Sequence, residues 1–176
     1  MKKASFLAVA FFVISSIVNG QSLDDKYLSN VKTLDSTIET LYGVISGEKG
    51  QEREWDLFKY LFHPEAKLIP SGKNQAGAIE ATFLTPEAYI SRAGKMLVDT
   101  GFFEKETHRT VDTFGNITQV FSTYNSYNNE SMDTPFARGI NSIQLLNDGK
   151  RWLIINIYWM QESEESPIPE KYLPKN

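Results

Sequence analysis

The sequence contains no cysteine, and this absence removes several classes of chemistry at once. Disulfide scaffolds, thiolate metal sites and cysteine nucleophiles are all excluded. Basic residues are also in the minority, with 18 lysines and arginines against 22 acidic residues, so the formal net charge is −4. Because nucleic-acid binding proteins ordinarily present a basic surface, the charge argues against a nucleic-acid partner.

Motifs for nucleotide binding and nucleophilic catalysis are missing as well. The chain has no Gly-x-x-x-x-Gly-Lys loop, no dinucleotide-binding glycine pattern and no Gly-x-Ser-x-Gly elbow. Its two histidines are His63 and His108, and Glu106 with His108 supplies too few ligands for a metal site. We therefore predict no cofactor and no bound metal.

The longest apolar run stands at the N-terminus. Two lysines precede an uncharged stretch, residues 4–18, and Gly20 supplies a small residue before a cleavage point at Gln21. The strongly apolar run is shorter than the ~20 residues that a bilayer crossing needs. Residues 1–20 are therefore predicted to be a signal peptide of a periplasmic or secreted protein, with an uncleaved anchor as the alternative. Cleavage leaves no stable membrane span, and the loss of two lysines shifts the net charge from −4 to −6.

Hydrophobic periodicity predicts helices followed by long strands. Apolar residues spaced three and four apart indicate a helix over residues 31–45, and a second helix is predicted over 52–62. Thr85-Pro86-Glu87 is typical of a helix start. Period-two patterns around two turn signals then predict hairpins over 103–127 and 136–160. This order predicts an α+β fold, with helices packed on one face of a curved sheet.

A resemblance to a known superfamily is carried by four stretches: residues 61–66, 113–117, 138–145 and 148–154. They resemble the nuclear transport factor 2-like superfamily, which includes ketosteroid isomerases, scytalone dehydratase and SnoaL-type polyketide cyclases. The resemblance implies a cone-like curved antiparallel sheet wrapped around the N-terminal helices, an open apolar pocket and a homodimer. It implies no particular reaction, because this fold carries enzymes, binding modules and assembly domains alike.

The resemblance spans residues 31–161, which are predicted to form one domain. Residues 21–30 are polar and are predicted to be a flexible N-terminal segment. Residues 162–176 contain three prolines and several acids, so an extended tail over the surface is predicted.

No catalytic motif of the known enzymes matches this chain residue by residue, so the two histidines are the catalytic candidates. His63 precedes a proline at a predicted helix end, where it acts either as a cap or as an acid–base group in the pocket. His108 shares its strand parity with Glu104, Glu106 and Asp112. That face is either a solvated outer face or the rim of a site, and the solvated face is the simpler interpretation.

Five residues are candidates for lining a ligand pocket: Asn141, Arg138, Asn156, Tyr124 and Trp55. Asn141 lies on the apolar face of its predicted strand, and Asn156 is grouped by parity with Trp152 and Ile154. A buried amide needs hydrogen-bond partners, which come either from the protein or from a ligand. Structural roles and pocket roles therefore both stay open for these residues.

Three functions are compatible with these patterns. We predict an exported protein whose apolar pocket binds a small hydrophobic ligand. The alternatives are a cofactor-independent isomerase, dehydratase or cyclase that uses general acid–base chemistry in the pocket, and a structural or dimerisation module. An acid that meets tyrosine or asparagine within the pocket would favour the enzyme.

Overall fold

The computed structural model describes residues 23–175. The predicted signal peptide, residues 1–20, lies outside the described residues. Within 23–175, no helix combines the length and the apolar character that a bilayer crossing requires.

Four α-helices and six strands follow one another along the described part of the chain. The helices are α1 Leu23–Tyr27, α2 Leu34–Ile45, α3 Trp55–Tyr60 and α4 Pro86–Thr100. The strands are β1 Phe62–Lys73, β2 Ile79–Ala81, β3 Phe103–Phe114, β4 Ile117–Tyr127, β5 Ala137–Asn147 and β6 Trp152–Gln161. Short 3-10 helices cover Leu28–Val31 and Glu170–Tyr172.

Local signals account for where the two long helices begin. At the start of α2, the Ser36 N–H donates to the Thr33 hydroxyl at 3.0 Å, and the Thr33 N–H donates to the Ser36 hydroxyl at 3.1 Å. This reciprocal arrangement is a capping box. Helix α4 begins as predicted, because Thr85 accepts from the Ala88 N–H and Pro86 occupies the first turn.

The six strands form one mixed sheet in the order β2-β1-β6-β5-β4-β3. Strand β1 runs parallel to β6, and the other neighbours are antiparallel. The predicted hairpins β3–β4 and β5–β6 are both confirmed. The parallel pairing of β1 with β6 could not be predicted from turn motifs, because the two strands are far apart in the chain and no short turn connects them.

The helices pack on one face of the sheet, called the inner face here, and this confirms the predicted α+β fold. Side chains from the helices and from strands β1, β4, β5 and β6 share one apolar core, in which Ile38, Phe58, Leu61, Ile143 and Ile154 are fully buried. The opposite side of the sheet is called the outer face.

The two chain segments that flank the predicted domain both contact it. Residues 23–31 are helical where a flexible segment is predicted, because Tyr27 is buried and packs against Tyr60 with ring centroids 5.6 Å apart. At the other end, the tail after β6 returns along the outer face. There the Thr123 hydroxyl donates to the Tyr172 carbonyl at 2.6 Å, and the Tyr172 ring packs on Phe121.

Two β-bulges change the face on which side chains lie. In β3, Glu106 is opposite Tyr124 but His108 is opposite Thr123, so the strand gains one residue between them. In β6, a second register shift separates Ile154 from Asn156. Because strand side chains alternate, an extra residue moves everything beyond it to the other face. His108 therefore lies on the opposite face from Glu104 and Glu106, and Asn156 lies on the opposite face from Trp152 and Ile154, although strand alternation predicts the same face.

Candidate functional site: a cavity between the helices and the sheet

A cavity of about 290 Å³ lies between the helices and the inner face of the sheet. Helices α2, α3 and α4 with strands β1 and β6 supply its apolar wall. Strands β3, β4 and β5 supply a polar wall that includes Glu104, Ser126 and Asn141. Met96 and Phe136 line the cavity and are 51% and 52% exposed, so they mark its mouth.

Six aromatic residues line the cavity: Phe58, Tyr89, Phe102, Tyr124, Phe136 and Trp159. Tyr89 stacks on Phe58 with ring centroids 5.5 Å apart and meets Trp159 edge-on at 6.4 Å. These contacts hold the rings in place, so the cavity presents a formed apolar surface to a ligand.

Glu104 carries the one formal charge among the described residues that line the cavity. The Asn141 amide donates to its Oε1 at 3.3 Å, and the Ser126 hydroxyl donates to its Oε2 at 3.3 Å. The Glu104 N–H donates to the Ser46 hydroxyl at 3.0 Å, which fixes the start of β3 against the end of α2. Burial raises the pKa of the Glu104 carboxyl to about 7, although the two donors oppose this rise.

A chain of buried hydrogen bonds leads away from Glu104 through the wall of the cavity. Asn141 donates from the same amide nitrogen to the Tyr42 hydroxyl at 3.1 Å. The hydroxyls of Tyr42 and Ser122 are 2.7 Å apart. Burial raises the pKa of the Tyr42 phenol, so this phenol stays protonated and can serve as a donor.

The outer end of this chain fixes the direction of every hydrogen bond in it. Ser122 contacts the Glu106 carboxylate at 2.5 Å, and Glu106 is ion-paired with Arg109 at 2.6 Å. A carboxylate can only accept, so Ser122 donates to it and accepts from Tyr42, which in turn accepts from Asn141. The Asn141 side chain is therefore oriented with its NH₂ group toward Glu104.

Two of the predicted pocket residues line the cavity. Asn141 is buried and contacts Glu104 as described. Tyr124 is also buried, and its pKa is raised by burial and by the nearby Glu104. The hydroxyl of Tyr124 lies over Gly139 on the neighbouring strand.

The structure places the other three predicted pocket residues elsewhere. Trp55 lies behind the apolar wall, edge-on to Phe58 at 5.9 Å. Arg138 lies on the outer face, where it forms a bidentate pair with Glu162 at 2.7 and 2.9 Å. The β6 bulge puts Asn156 on the outer face as well. None of the three lines the cavity.

Neither histidine lines the cavity. His63 lies in β1 rather than at a helix end, and its Nδ1 accepts from the Glu65 N–H at 3.1 Å. His108 lies on the outer face beyond the β3 bulge, and its Nε2 is buried without a hydrogen-bond partner. In residues 23–175, no group of three or more histidine, aspartate or glutamate side chains is placed to hold a metal ion.

Glu104, the acid at the centre of the site, is not among the pocket residues predicted from the sequence. The face with Glu104 and Glu106 is interpreted from sequence as solvated, but it faces inward as far as the bulge. The available signal was on the neighbouring strand, where Ser122 and Ser126 flank Tyr124 at alternate positions. Buried hydroxyls at strand spacing need polar partners on the adjacent strand, and β3 supplies them.

Replacing Gly139 with alanine is expected to lower the free energy of unfolding by about 1–3 kcal/mol, because the added methyl group overpacks the cavity wall. A Cβ at this position would lie 2.5 Å from the Met160 carbonyl oxygen and would also meet the Tyr124 hydroxyl. Gly43→Ala in α2 is the matched control. Its Cβ meets nothing within 4 Å, so a gain of up to about 1 kcal/mol is expected. Urea denaturation would measure the free energy of unfolding of both variants. Equal changes in the two variants would contradict this account.

Known structures resemble this fold at low sequence identity. A protein of unknown function with a cystatin-like fold from Nostoc punctiforme is 10% identical, with a TM-score of 0.55 over 74% of this chain and 89% of its own. An NTF2-like protein of unknown function from Pseudomonas putida is 10% identical, with a TM-score of 0.55 over 80% of this chain and 93% of its own. A candidate ketosteroid isomerase from Parabacteroides distasonis is 11% identical, with a TM-score of 0.52 over 77% of this chain and 98% of its own.

No protein-family model and no curated protein sequence matches the chain. The structural similarity at these identities concerns the fold alone. This chain therefore has the nuclear transport factor 2-like fold, also called cystatin-like, that its sequence predicts.

Proposed function

We propose that the protein binds a small, largely apolar molecule in the cavity and orients it through one polar group at Glu104. The observation that carries this proposal is the single carboxyl group in the polar wall, opposite a wall of aromatic and aliphatic side chains. Pockets that bind small molecules commonly combine an apolar lining with a few convergent polar groups.

Filling the cavity is expected to abolish binding. Ala93 lies on α4 and lines the cavity, whereas Ser91 on the same helix is exposed. Titration calorimetry with 2-phenylethanol as the probe should show binding to the wild type and to Ser91→Phe. The Ala93→Phe variant should bind at least about tenfold more weakly, since the new ring occupies the space of the probe. Equal affinity for Ala93→Phe and Ser91→Phe would contradict the proposal.

Acid–base catalysis is a second candidate, and one observation favours it. The Glu104 carboxyl has a pKa of about 7 and lies within hydrogen-bond reach of Asn141. A carboxylate with a pKa near the working pH is well suited to remove a proton from a carbon next to a carbonyl group. The nearby hydroxyl of Tyr124 stays protonated, because burial raises its pKa, and could donate to the resulting enolate.

The test for this second candidate is deuterium exchange at the α-carbon of 4-phenyl-2-butanone, followed by NMR. If Glu104 is the base, the exchange rate should rise as the pH rises through about 7 and then level off. Glu104→Gln should remove this pH-dependent part, while Glu130→Gln in an exposed loop should keep it. Identical exchange rates for the wild type and Glu104→Gln would exclude this role.

We also propose that the protein is exported after cleavage of its signal peptide and that it forms a homodimer. N-terminal sequencing of the protein from its native host would test cleavage after residue 20. Sedimentation analysis of the mature chain would test the predicted homodimer.

A further inference from the structure

The hydrogen bonds that Glu104 accepts favour the ionised form of its carboxyl group. The Asn141 NH₂ group can only donate, and its orientation is fixed by the chain that ends at Glu106. Ser126 donates to the other carboxylate oxygen. Each oxygen of Glu104 thus receives a hydrogen bond from the protein, an arrangement that suits the ionised form.

No cation in the described part of the chain balances this anion. The cavity lining described above includes no lysine, arginine or histidine, and none of the salt bridges among residues 23–175 involves Glu104. A buried carboxylate without a counter-charge is costly in free energy. Burial is therefore the largest cause of the raised pKa of Glu104. A ligand could supply the missing positive charge.

The surroundings of Glu104 also suit a cation. Burial raises the pKa of the Tyr89 and Tyr124 phenols, and both lie close enough to Glu104 that its charge adds to this rise. Their rings belong to the aromatic lining of the cavity. Aromatic faces attract ammonium groups, and this attraction is strongest where water is excluded.

We propose that the molecule bound in this cavity carries an ammonium group, which pairs with the Glu104 carboxylate while its apolar body packs against the aromatic wall. This inference rests on the binding function proposed above and narrows it to apolar amines. By the same charge argument, the cavity excludes carboxylates of the same size, since they would meet Glu104 with like charge.

The titratable groups that face Glu104 are few. They are the phenols of Tyr42 from α2, Tyr89 from α4 and Tyr124 from β4, together with Glu106 two residues along β3. The phenols stay neutral in the range of pH that matters here, because the pKa of each is raised. Glu106 is already paired with Arg109. Among the groups at this site, Glu104 is therefore the one whose charge changes between pH 6 and 8.

The test compares three probes with the same phenylethyl body: 2-phenylethylamine, 2-phenylethanol and 3-phenylpropanoate. Affinities are measured by titration calorimetry at pH 6 and pH 8. The amine is protonated at both values, since alkylamines have a pKa of about 10. At pH 6 its binding must displace the proton of Glu104, so we expect binding about tenfold weaker than at pH 8. The carboxylate probe should not bind at pH 8, where Glu104 is ionised.

Two variants complete the test. Glu104→Gln removes the charge but keeps the shape, so it should weaken amine binding at pH 8 at least about tenfold while 2-phenylethanol still binds. Glu130→Gln should leave both affinities unchanged, since Glu130 is exposed in the loop after β4. Thermal melting of each variant confirms that it is folded.

The possible outcomes separate this inference from the function on which it rests. If the alcohol binds as tightly as the amine at pH 8, or if Glu104→Gln leaves amine binding unchanged, the ammonium proposal is overturned and apolar binding stands. If none of the three probes binds the wild type, both are overturned. Tighter amine binding at pH 8 that is lost in Glu104→Gln supports the proposal.

Discussion

Replacing Arg53 with methionine is expected to lower the free energy of unfolding by about 3 to 4 kcal/mol, because several buried carbonyls lose a donor. Arg53 is buried, and its guanidinium donates to the carbonyls of Ile45, Gly47 and Leu97 at 2.8–2.9 Å and to that of Gln51. Methionine reproduces the aliphatic part of the arginine side chain but carries no donor, so the packing of that part is largely kept. Urea denaturation would measure the loss.

The matched control for this change is Arg92→Met, which alters an exposed arginine on α4. We expect it to change stability by no more than about 0.5 kcal/mol. Arg53 ties the end of α2 to α4, and both Ile45 and Leu97 line the cavity. Arg53→Met should therefore weaken probe binding as well. A loss of stability no larger than that of Arg92→Met would contradict the role given to Arg53.

Replacing Glu104 with glutamine is expected to change how stability depends on pH. The pKa of Glu104 is about 7 in the folded protein, compared with an ordinary value of 4.5. Between these values the folded state binds the proton more tightly than the unfolded state does. Folding therefore loses stability as the pH rises from about 4.5 to about 7, by up to about 3 kcal/mol from this one group.

The measurement is the difference in free energy of unfolding between Glu104→Gln and the wild type from pH 4.5 to pH 8. Other groups titrate equally in both proteins and cancel, so the difference should grow in favour of the variant by up to about 3 kcal/mol. Glu130→Gln should give a profile parallel to the wild type, because this side chain is exposed. A parallel profile for Glu104→Gln would show that its carboxyl is not perturbed by burial.

Much of the fold could be predicted because its signals are local. The apolar spacing in residues 31–45 and the Thr85-Pro86-Glu87 start gave α2 and α4, since side-chain period and capping act within a few residues. The Gly115 and Gly149 turns gave the two hairpins, and both glycines have positive φ values as such turns require. The order of these elements predicted the α+β class, and the resemblance of residues 61–66, 113–117, 138–145 and 148–154 implied the nuclear transport factor 2-like fold.

The site could be predicted only in part, because its residues come together from distant parts of the chain. Asn141 stood out as a polar residue on an apolar face, and it does contact the central acid. The bulge in β3 separates His108 from Glu104 and Glu106, with which strand parity groups it, and the bulge in β6 separates Asn156 from Trp152 and Ile154. A bulge adds one residue to a strand, and no local pattern in this sequence predicts where the two bulges lie.

Composition and local period established helices α2 and α4, the two hairpins, the lack of cysteine and the lack of nucleotide-binding and nucleophile-elbow motifs, since these are properties of short stretches. The packing of the whole molecule shows that Glu104 faces the cavity, that Asn141 and Ser126 donate to it, and that no lysine, arginine or histidine lines the described cavity or pairs with it. Those facts depend on strand register and on burial by α2 and α4. Register and burial arise from contacts between residues far apart in the chain.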